Sequence, residues 1–180
     1  TNSRHNLPVF TNLIKGLELT GANQVWVSDI TYIRTREDFV YLSLITDKSS
    51  RKIVGYHLGR TLTAQETLKA LKMAVGEMPD GVFPIHHSDR GSQYCSHKYI
   101  GYLKDHNMRI SMTEDNHCAE NALAERVNGI LKQEYFLSHE FRDFKQADRA
   151  VKEAVRLYNT RRLHRSLKLC TPEEVHRIAA

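Results

Sequence analysis

The sequence predicts a mixed α/β domain, one sheet with helices on both faces. Three observations carry this. Three segments rich in β-branched and aromatic residues follow one another between Gln24 and Leu58 with short polar connections, as in an antiparallel meander. Two later strand-like segments, 84–88 and 109–112, are each reached through a helical pattern, as parallel additions to a sheet are. Amphipathic helices then close the chain.

In order, residues 1–22 show no sustained period and contain Pro8, Gly16 and Gly21. They are expected to be a linker or arm, and a start at Thr1 fits a piece of a longer protein. Gln24–Arg34, Phe39–Thr46 and Lys52–Leu58 are the three meander strands. Thr63 to Glu66 matches a capping box, in which the Thr hydroxyl takes a backbone N–H and the Glu reaches back. Leu68, Leu71, Val75 and Met78 follow at helical spacing until Pro79 and Gly81 stop the helix. A short strand ends at Ser88, Ser96–His106 reads as a helix, Arg109–Met112 as a strand, and Thr113–Glu120 as a polar loop. A helix is expected over 119–137 and another over 143–159, its buried stripe running from Phe144 through Val151 to Tyr158. Pro172 stands at the first position of a last short helix.

Composition bounds the function. The 180 residues suit one domain, and 41% hydrophobic with 26% charged residues excludes a disordered or low-complexity chain. No apolar run approaches the ~20 residues that cross a bilayer, so no membrane role is expected. Cys95, Cys118 and Cys170 are odd in number and far apart, which fits a reducing cytoplasm and neither a disulfide scaffold nor a structural zinc site. The net charge of +5 resides wholly in residues 126–180, where 12 Lys and Arg face 7 Asp and Glu. That is the pattern of a neutral body with a basic surface for a polyanion, or simply of solvated helices.

Three acids stand out by position. Asp29 lies in an otherwise apolar strand, where a carboxylate is costly to bury unless paired or metal-bound. Asp89 ends the fourth strand, where ligand sites of open α/β sheets gather. Glu125 shares one helix face with Asn121, Asn128 and Lys132, opposite Leu123, Val127, Ile130 and Leu131. Each acid alone has an ordinary reading as a bulge cap, a turn residue or a solvated helix position. Met together, they would repel one another and raise their pKa values unless a hard divalent cation relieved them. Two such ions can clamp the attacking and leaving oxygens of a phosphoryl displacement.

Longer stretches carry a resemblance. Asn23-Gln-Val-Trp-Val-Ser-Asp29-Ile-Thr-Tyr-Ile33, Asp47 to Gly55, His87-Ser-Asp-Arg-Gly-Ser-Gln-Tyr94, Asn121-Ala-Leu-Ala-Glu125, Leu131 to Glu134, and Tyr158 to Leu167 followed by Thr171-Pro172 resemble, in order, insertion-sequence transposases of the DDE type, which share the retroviral integrase core. Thirty-five residues separate Asp89 from Glu125, the spacing of that family. The resemblance implies a ribonuclease H-like fold, a five-stranded mixed sheet whose first three strands are antiparallel. It implies a catalytic core over 23–160, with 161–180 a basic tail and short helix, and a helix-turn-helix region before the core in the full-length chain.

It further implies that Asp29, Asp89 and Glu125 form the metal-binding catalytic triad, holding Mg²⁺ or Mn²⁺, two ions once DNA is bound. Glu114 and Glu120 are competing acids without the family context. The implied activity is transposition: one DNA strand is cleaved at the transposon end, and the freed 3′-OH attacks a second phosphodiester, with no covalent enzyme intermediate. The implied partners are DNA, as transposon ends and target, and further copies of the chain on DNA, at the nucleoid of a bacterial cytoplasm. The alternatives are a ribonuclease H-like nuclease that does not join strands, or a DNA-binding module that has lost catalysis.

Lys132 is expected at the DNA end. Many integrases carry a further Lys one turn after the Glu, where this chain has Gly129, leaving Asn128 or Arg126 to compensate. Asn121 is expected to cap the helix, with a bond to a triad acid or to DNA as its alternative. Arg161, Arg162, Arg165 and Lys168, with His164, are the candidates for phosphate contacts, which are salt-sensitive and carry little sequence information. His86 and His87, adjacent in a strand, point to opposite faces and cannot share one metal site. Arg90, Ser92 and Gln93 touch phosphate or shape the loop, and Asp47 with Arg51 is expected as a turn-stabilising pair.

Overall fold

The computed structural model describes residues 5–114 and 121–179. Its elements are β1 (Val25–Arg34), β2 (Phe39–Asp47), β3 (Ile53–Gly59), α1 (Ala64–Gly76), β4 (Ile85–Ser88), α2 (His97–Asp105), β5 (Arg109–Met112), α3 (Ala122–Glu134), α4 (Phe144–Arg161) and α5 (Pro172–Ala179). Most of the expected loop at 113–120, with Cys118 and Glu120, and the first residues expected for the helix at 119–137 lie outside the described residues. That helix ends at Glu134, and the one expected at 143–159 runs two residues further, to Arg161.

The five strands stand in the order β3-β2-β1-β4-β5. β1 and β2 pair antiparallel from Trp26 opposite Asp47 to Arg34 opposite Phe39, and β3 continues the meander. β4 adds to β1 in parallel and β5 to β4. This is the ribonuclease H-like sheet.

Strand alternation splits the core into two layers. Val40, Leu42 and Leu44 of β2 pack on one face against Val127, Ile130 and Leu131 of α3 and Val151 and Val155 of α4. Trp26 and Ile45 point the other way, to Ala70, Leu71 and Ala74 of α1 and Tyr99 and Leu103 of α2. Helix α1 approaches so closely because Gly55 of β3 lacks a side chain. A Cβ there would strike the carbonyl of Ala70 and lie 2.8 Å from the Ala74 Cβ.

Two local expectations are corrected. Thr63 does cap α1, its hydroxyl accepting from Glu66 N at 3.4 Å. The Glu66 carboxylate, however, turns away from the cap to Lys69 of α1 at 2.8 Å and to His57 of β3 at 2.6 Å, two side-chain partners that compete with the cap N–H. Nor do Asp47 and Arg51 pair through their side chains. The buried Asp47 carboxylate accepts from the Ser50 N–H and hydroxyl and from Asn23 N, each at 2.7 Å. Burial alone would raise its pKa; the His176 ring 3.9 Å away and the hydrogen bonds from Ser50 and Asn23 outweigh that and hold it low. The Ser50 hydroxyl also meets His176 Nδ1 at 2.9 Å, which ties α5 to the β2–β3 turn. Arg51 bonds Asp47 only through its backbone N–H, at 2.9 Å, leaving its guanidinium to point elsewhere.

The segment before β1 lies against the body: Ile14 is buried, Leu7 and Phe10 pack on the α1/α2 layer, and Leu13 N donates to Ser111 Oγ at 2.9 Å. Among the described residues no helix is long and apolar enough to cross a membrane.

Overpacking at the α1–β3 contact is the weak point of this frame. Gly55→Ala should destabilise the protein by about 1–3 kcal/mol in denaturant unfolding, whereas Gly101→Ala, with open space around it, should cost far less.

Candidate active site: the acid cluster at the fork between β1 and β4

β1 and β4 run parallel and in register only from Val25 opposite Ile85 to Val27 opposite His87. Two residues further along each strand, on the same face, stand Asp29 and Asp89. β4 stops at Ser88 while β1 continues to Arg34, and in the strand order β1 leads on to β2 in one direction and β4 to β5 in the other. The carboxyl ends therefore open into a crevice, the place where α/β sheets bind ligands.

Helix α3 closes this fork. Ala124 packs with Val25 and Val27. Asn121 Nδ2 donates to Ser28 O at 3.0 Å, and Asn128 Nδ2 to Asp29 Oδ2 at 2.8 Å. One Asn precedes Glu125 by a turn and the other follows by a turn, so the two bonds set the helix rotation that turns Glu125 to the acids. Asn121 thus occupies the N-cap position without capping: its side chain makes no cap bond, since the β1 carbonyl claims it. Asn128, expected as a DNA contact, is buried and bound to Asp29.

The three acids sense one another. Burial pushes the Asp29 carboxyl up to about 6; the Ile30 N–H and Asn128 pull it back, and the charges of Asp89 and Glu125 push it up again. Asp89 Oδ1 accepts from Gly91 N at 2.9 Å. Among the described residues no three His, Cys, Asp or Glu side chains already stand close enough to enclose a metal ion. The donor set nevertheless fits Mg²⁺ or Mn²⁺: it is all oxygen, its central acid is raised by burial and like charge, and Mg²⁺ binds through one or two carboxylates while retaining water.

Lys132 sits beside this cluster, half-buried. Burial lowers its pKa while Asp29 raises it, and its Nζ lies 4.2 Å from the Tyr32 ring centroid. Tyr32, 58% exposed on the open part of β1, stacks edge-on with Phe39 at 5.3 Å. Sequence reasoning passed over Tyr32, because nothing in the strand pattern says that β4 stops short and leaves this aromatic at the mouth of the fork.

The remaining candidates divide. His86 and His87 lie on opposite faces, both buried: His86 bonds Tyr99 OH at 2.9 Å and His87 bonds Ser111 Oγ at 2.8 Å. Burial and then the neighbouring His87 push His86 down to about 3, so it is a neutral core group. Arg90 Nε donates to Thr113 O at 2.7 Å and Gln93 Nε2 to Leu62 O at 3.2 Å, which shapes the loop after β4. Arg162 is held by Glu134 through two bonds of 2.7 Å, while Arg161, Arg165, Lys168 and Arg126 are exposed. Glu114 faces Lys15 at 3.5 Å.

Sheet order, helix placement and fork define the class, an integrase-type core. The chain belongs to the Integrase core domain family, which matches residues 20–118, with a second Integrase core domain match over 106–172. It is 38% identical over 186 residues to the insertion element IS600 uncharacterized 31 kDa protein of Shigella sonnei, covering 100% of this chain and 68% of that one. It is 40% identical over 142 residues to transposase InsF for insertion sequence IS3A of Escherichia coli K12, covering 76% of this chain. The chain spans about half the length of that transposase, 49%. By fold it is similar to the HTLV-2 integrase catalytic core domain in complex with magnesium, with TM-score 0.67 and 21% identity over 86% of this chain and 96% of that one. It is also similar to a chain of the simian T-cell lymphotropic virus intasome, with TM-score 0.75 and 21% identity over 97% and 60%.

The raised Asp29 carboxyl has a consequence for stability. The folded protein holds this proton to about pH 6 and the unfolded chain only to about pH 4, so ionising Asp29 costs the native state stability as pH rises through that window. In chelator, Asp29→Asn should be more stable than wild type above pH 6, by up to about 3 kcal/mol, with the gap closing towards pH 4. Thermal melts of both proteins from pH 4 to 8 check this.

Proposed function

We propose that this chain is the catalytic core of an insertion-sequence transposase, a DNA strand transferase in which Asp29, Asp89 and Glu125 are the metal-binding catalytic residues. The observation that carries the reading is the buried carboxyl of Asp29 at the fork, raised first by burial and, to a smaller extent, by the charges of Asp89 and Glu125. The reading is also supported by the family match and by the transposase relatives. Two Mg²⁺ or Mn²⁺ ions, when bound, would supply Lewis-acid stabilisation of the charge that builds on the phosphoryl oxygens and on the attacking and leaving groups.

The chain's own residues do the rest. Asn128 fixes the Asp29 carboxylate through Oδ2, and Gly91 N fixes Asp89 through Oδ1. Asn121 anchors the first turn of α3, so Glu125 is presented from a rigid element. Lys132, braced on Tyr32, offers its ammonium to a phosphate at the DNA end. Exposed Arg126, Arg161, Arg165 and Lys168 supply backbone contacts that hold DNA without reading it. Arg162 contributes through its lock on Glu134 rather than as a free cation. The partners are transposon ends and target DNA, bound by more than one copy of the chain at the bacterial nucleoid. An upstream helix-turn-helix of the full-length protein reads the ends; residues 1–22 join it to the core at 23–160, and 161–180 form the basic tail.

Strand joining on oligonucleotides that mimic the element ends tests the proposal. Asp89→Asn and Glu125→Gln should each lower joining by about 10³-fold, since each weakens a Lewis-acid contribution of several kcal/mol. The Mg²⁺-dependent rise in melting temperature should shrink with it. Cleavage without joining would favour a plain nuclease, and unchanged activity in both variants would remove the catalytic assignment.

A further inference from the structure

Helix α3 presents a second surface, facing away from the acids. A cavity of about 680 Å³ opens there, between α3, the end of α4 and the tail that follows it. Its apolar floor is Leu123, Val127 and Ile130. Arg51, Arg126 and Arg165 line its rim, and among the described residues none of the three makes an ion pair or a side-chain hydrogen bond. Arg162, also in the wall, is already neutralised by Glu134 at 2.7 Å.

Two buried groups line the same cavity without partners. Tyr158, 0% exposed, has its hydroxyl unbonded, and His164, 8% exposed, has Nε2 unbonded. Their rings meet edge-on at 5.3 Å. Burial, and then Arg162 and Arg51, push His164 down to about 4, so its ring is neutral in the free protein. A buried polar atom without a partner costs about 1–3 kcal/mol, which a fold retains where a ligand completes the bond. Three unpaired guanidinium groups around two polar atoms of either hydrogen-bonding sense select an oxyanion with several acceptors and a protonatable oxygen. The apolar floor suits the sugar or base attached to it.

We propose that this pocket binds a phosphate group carried on a nucleotide, presented by the backbone of a DNA strand or by a free nucleotide. The site rests on the reading of the chain as a DNA-processing core, but it is separate from the acid cluster. Glu125 and Arg126 are adjacent on α3 and point about 100° apart, so a strand gripped here is held at a fixed offset from the fork. Tyr158 and His164 are then binding residues, and Arg51 gains the role that its backbone turn alone does not give it.

The test is binding without catalysis, in chelator, so that failure of the pocket and failure of the strand-transfer reading are separable. Three probes are titrated: inorganic phosphate, a deoxynucleoside monophosphate and a duplex oligonucleotide. The expected result is a shift of the His164 imidazole nitrogens in NMR with at least one probe. Arg51→Gln and Arg165→Gln should each weaken that probe about tenfold, as loss of a charge-assisted hydrogen bond does. Lys152→Gln, which removes a charge from the exposed face of α4, should change it less than about twofold. For the duplex, each arginine variant should also lower the salt slope of binding by about one.

Tyr158→Phe separates a ligand role from a structural one. It should leave the melting temperature unchanged or raised, because the hydroxyl has no partner to lose, and still weaken the probe several-fold. Response to the duplex alone assigns the site to DNA, and response to the monophosphate as well extends it to free nucleotides; both support it. No shift at His164 with any probe at saturation, or arginine variants that bind like Lys152→Gln, overturns it.

Discussion

Everything at the fork depends on a carboxylate placed where a sheet would ordinarily put an aliphatic residue. Asp29 follows Val25 and Val27 on the inward face of the middle strand, and burial makes its ionised form costly. Asn128 offsets part of that cost through one oxygen and the Ile30 N–H through the other. Both partners are neutral donors, so the site holds the charge without cancelling it. That leaves a negative field, reinforced by Asp89 and Glu125, which a proton on Asp29 relieves below about pH 6 and a bound cation would relieve above it.

The same bond organises α3. An amphipathic helix laid on a sheet by apolar packing alone could rotate by a fraction of a turn at little cost. Asn121 on Ser28 O and Asn128 on Asp29 remove that freedom, because each is buried and would lose its donor's partner on rotation. Once the rotation is set, the other residues of α3 are assigned in turn: Glu125 to the fork, Val127 and Leu131 to the core, Arg126 to the cavity side. One helix thus carries Glu125 on one side and Arg126 on another.

The basic C-terminal part is less uniform than its charge suggests. Arg162 is held by Glu134, and His164 is buried and neutral. Exposed guanidinium groups at Arg161 and Arg165 flank them, while α5 returns to the sheet through His176 and Ser50. The tail is therefore built into the domain through α5 and the Arg162–Glu134 pair.

Much of this was legible in the residues. The β-branched and aromatic runs of β1, β2 and β3 and the capped helical pattern of α1 are local signals, and local steric preference decides them. The face shared by Asn121, Glu125, Asn128 and Lys132 follows from helix geometry, and the spacing of Asp89 and Glu125 from family resemblance. What a neighbouring element supplies was not legible. Asn121 and Asn128 look like cap and DNA contact until β1 is beneath them, Glu66 looks like a capping-box acid until His57 faces it, and Asp47 looks like the partner of Arg51 until Ser50 and Asn23 occupy it. Tyr32 at the mouth of the fork, and the cavity that gathers Arg51, Arg126, Tyr158 and His164, depend on where one strand stops and how one helix is turned. Sequence sets backbone preference and the inventory of charge; which charge meets which is decided by long-range packing, because hydrogen bonds and ion pairs act over a few ångströms between residues that the chain order keeps far apart.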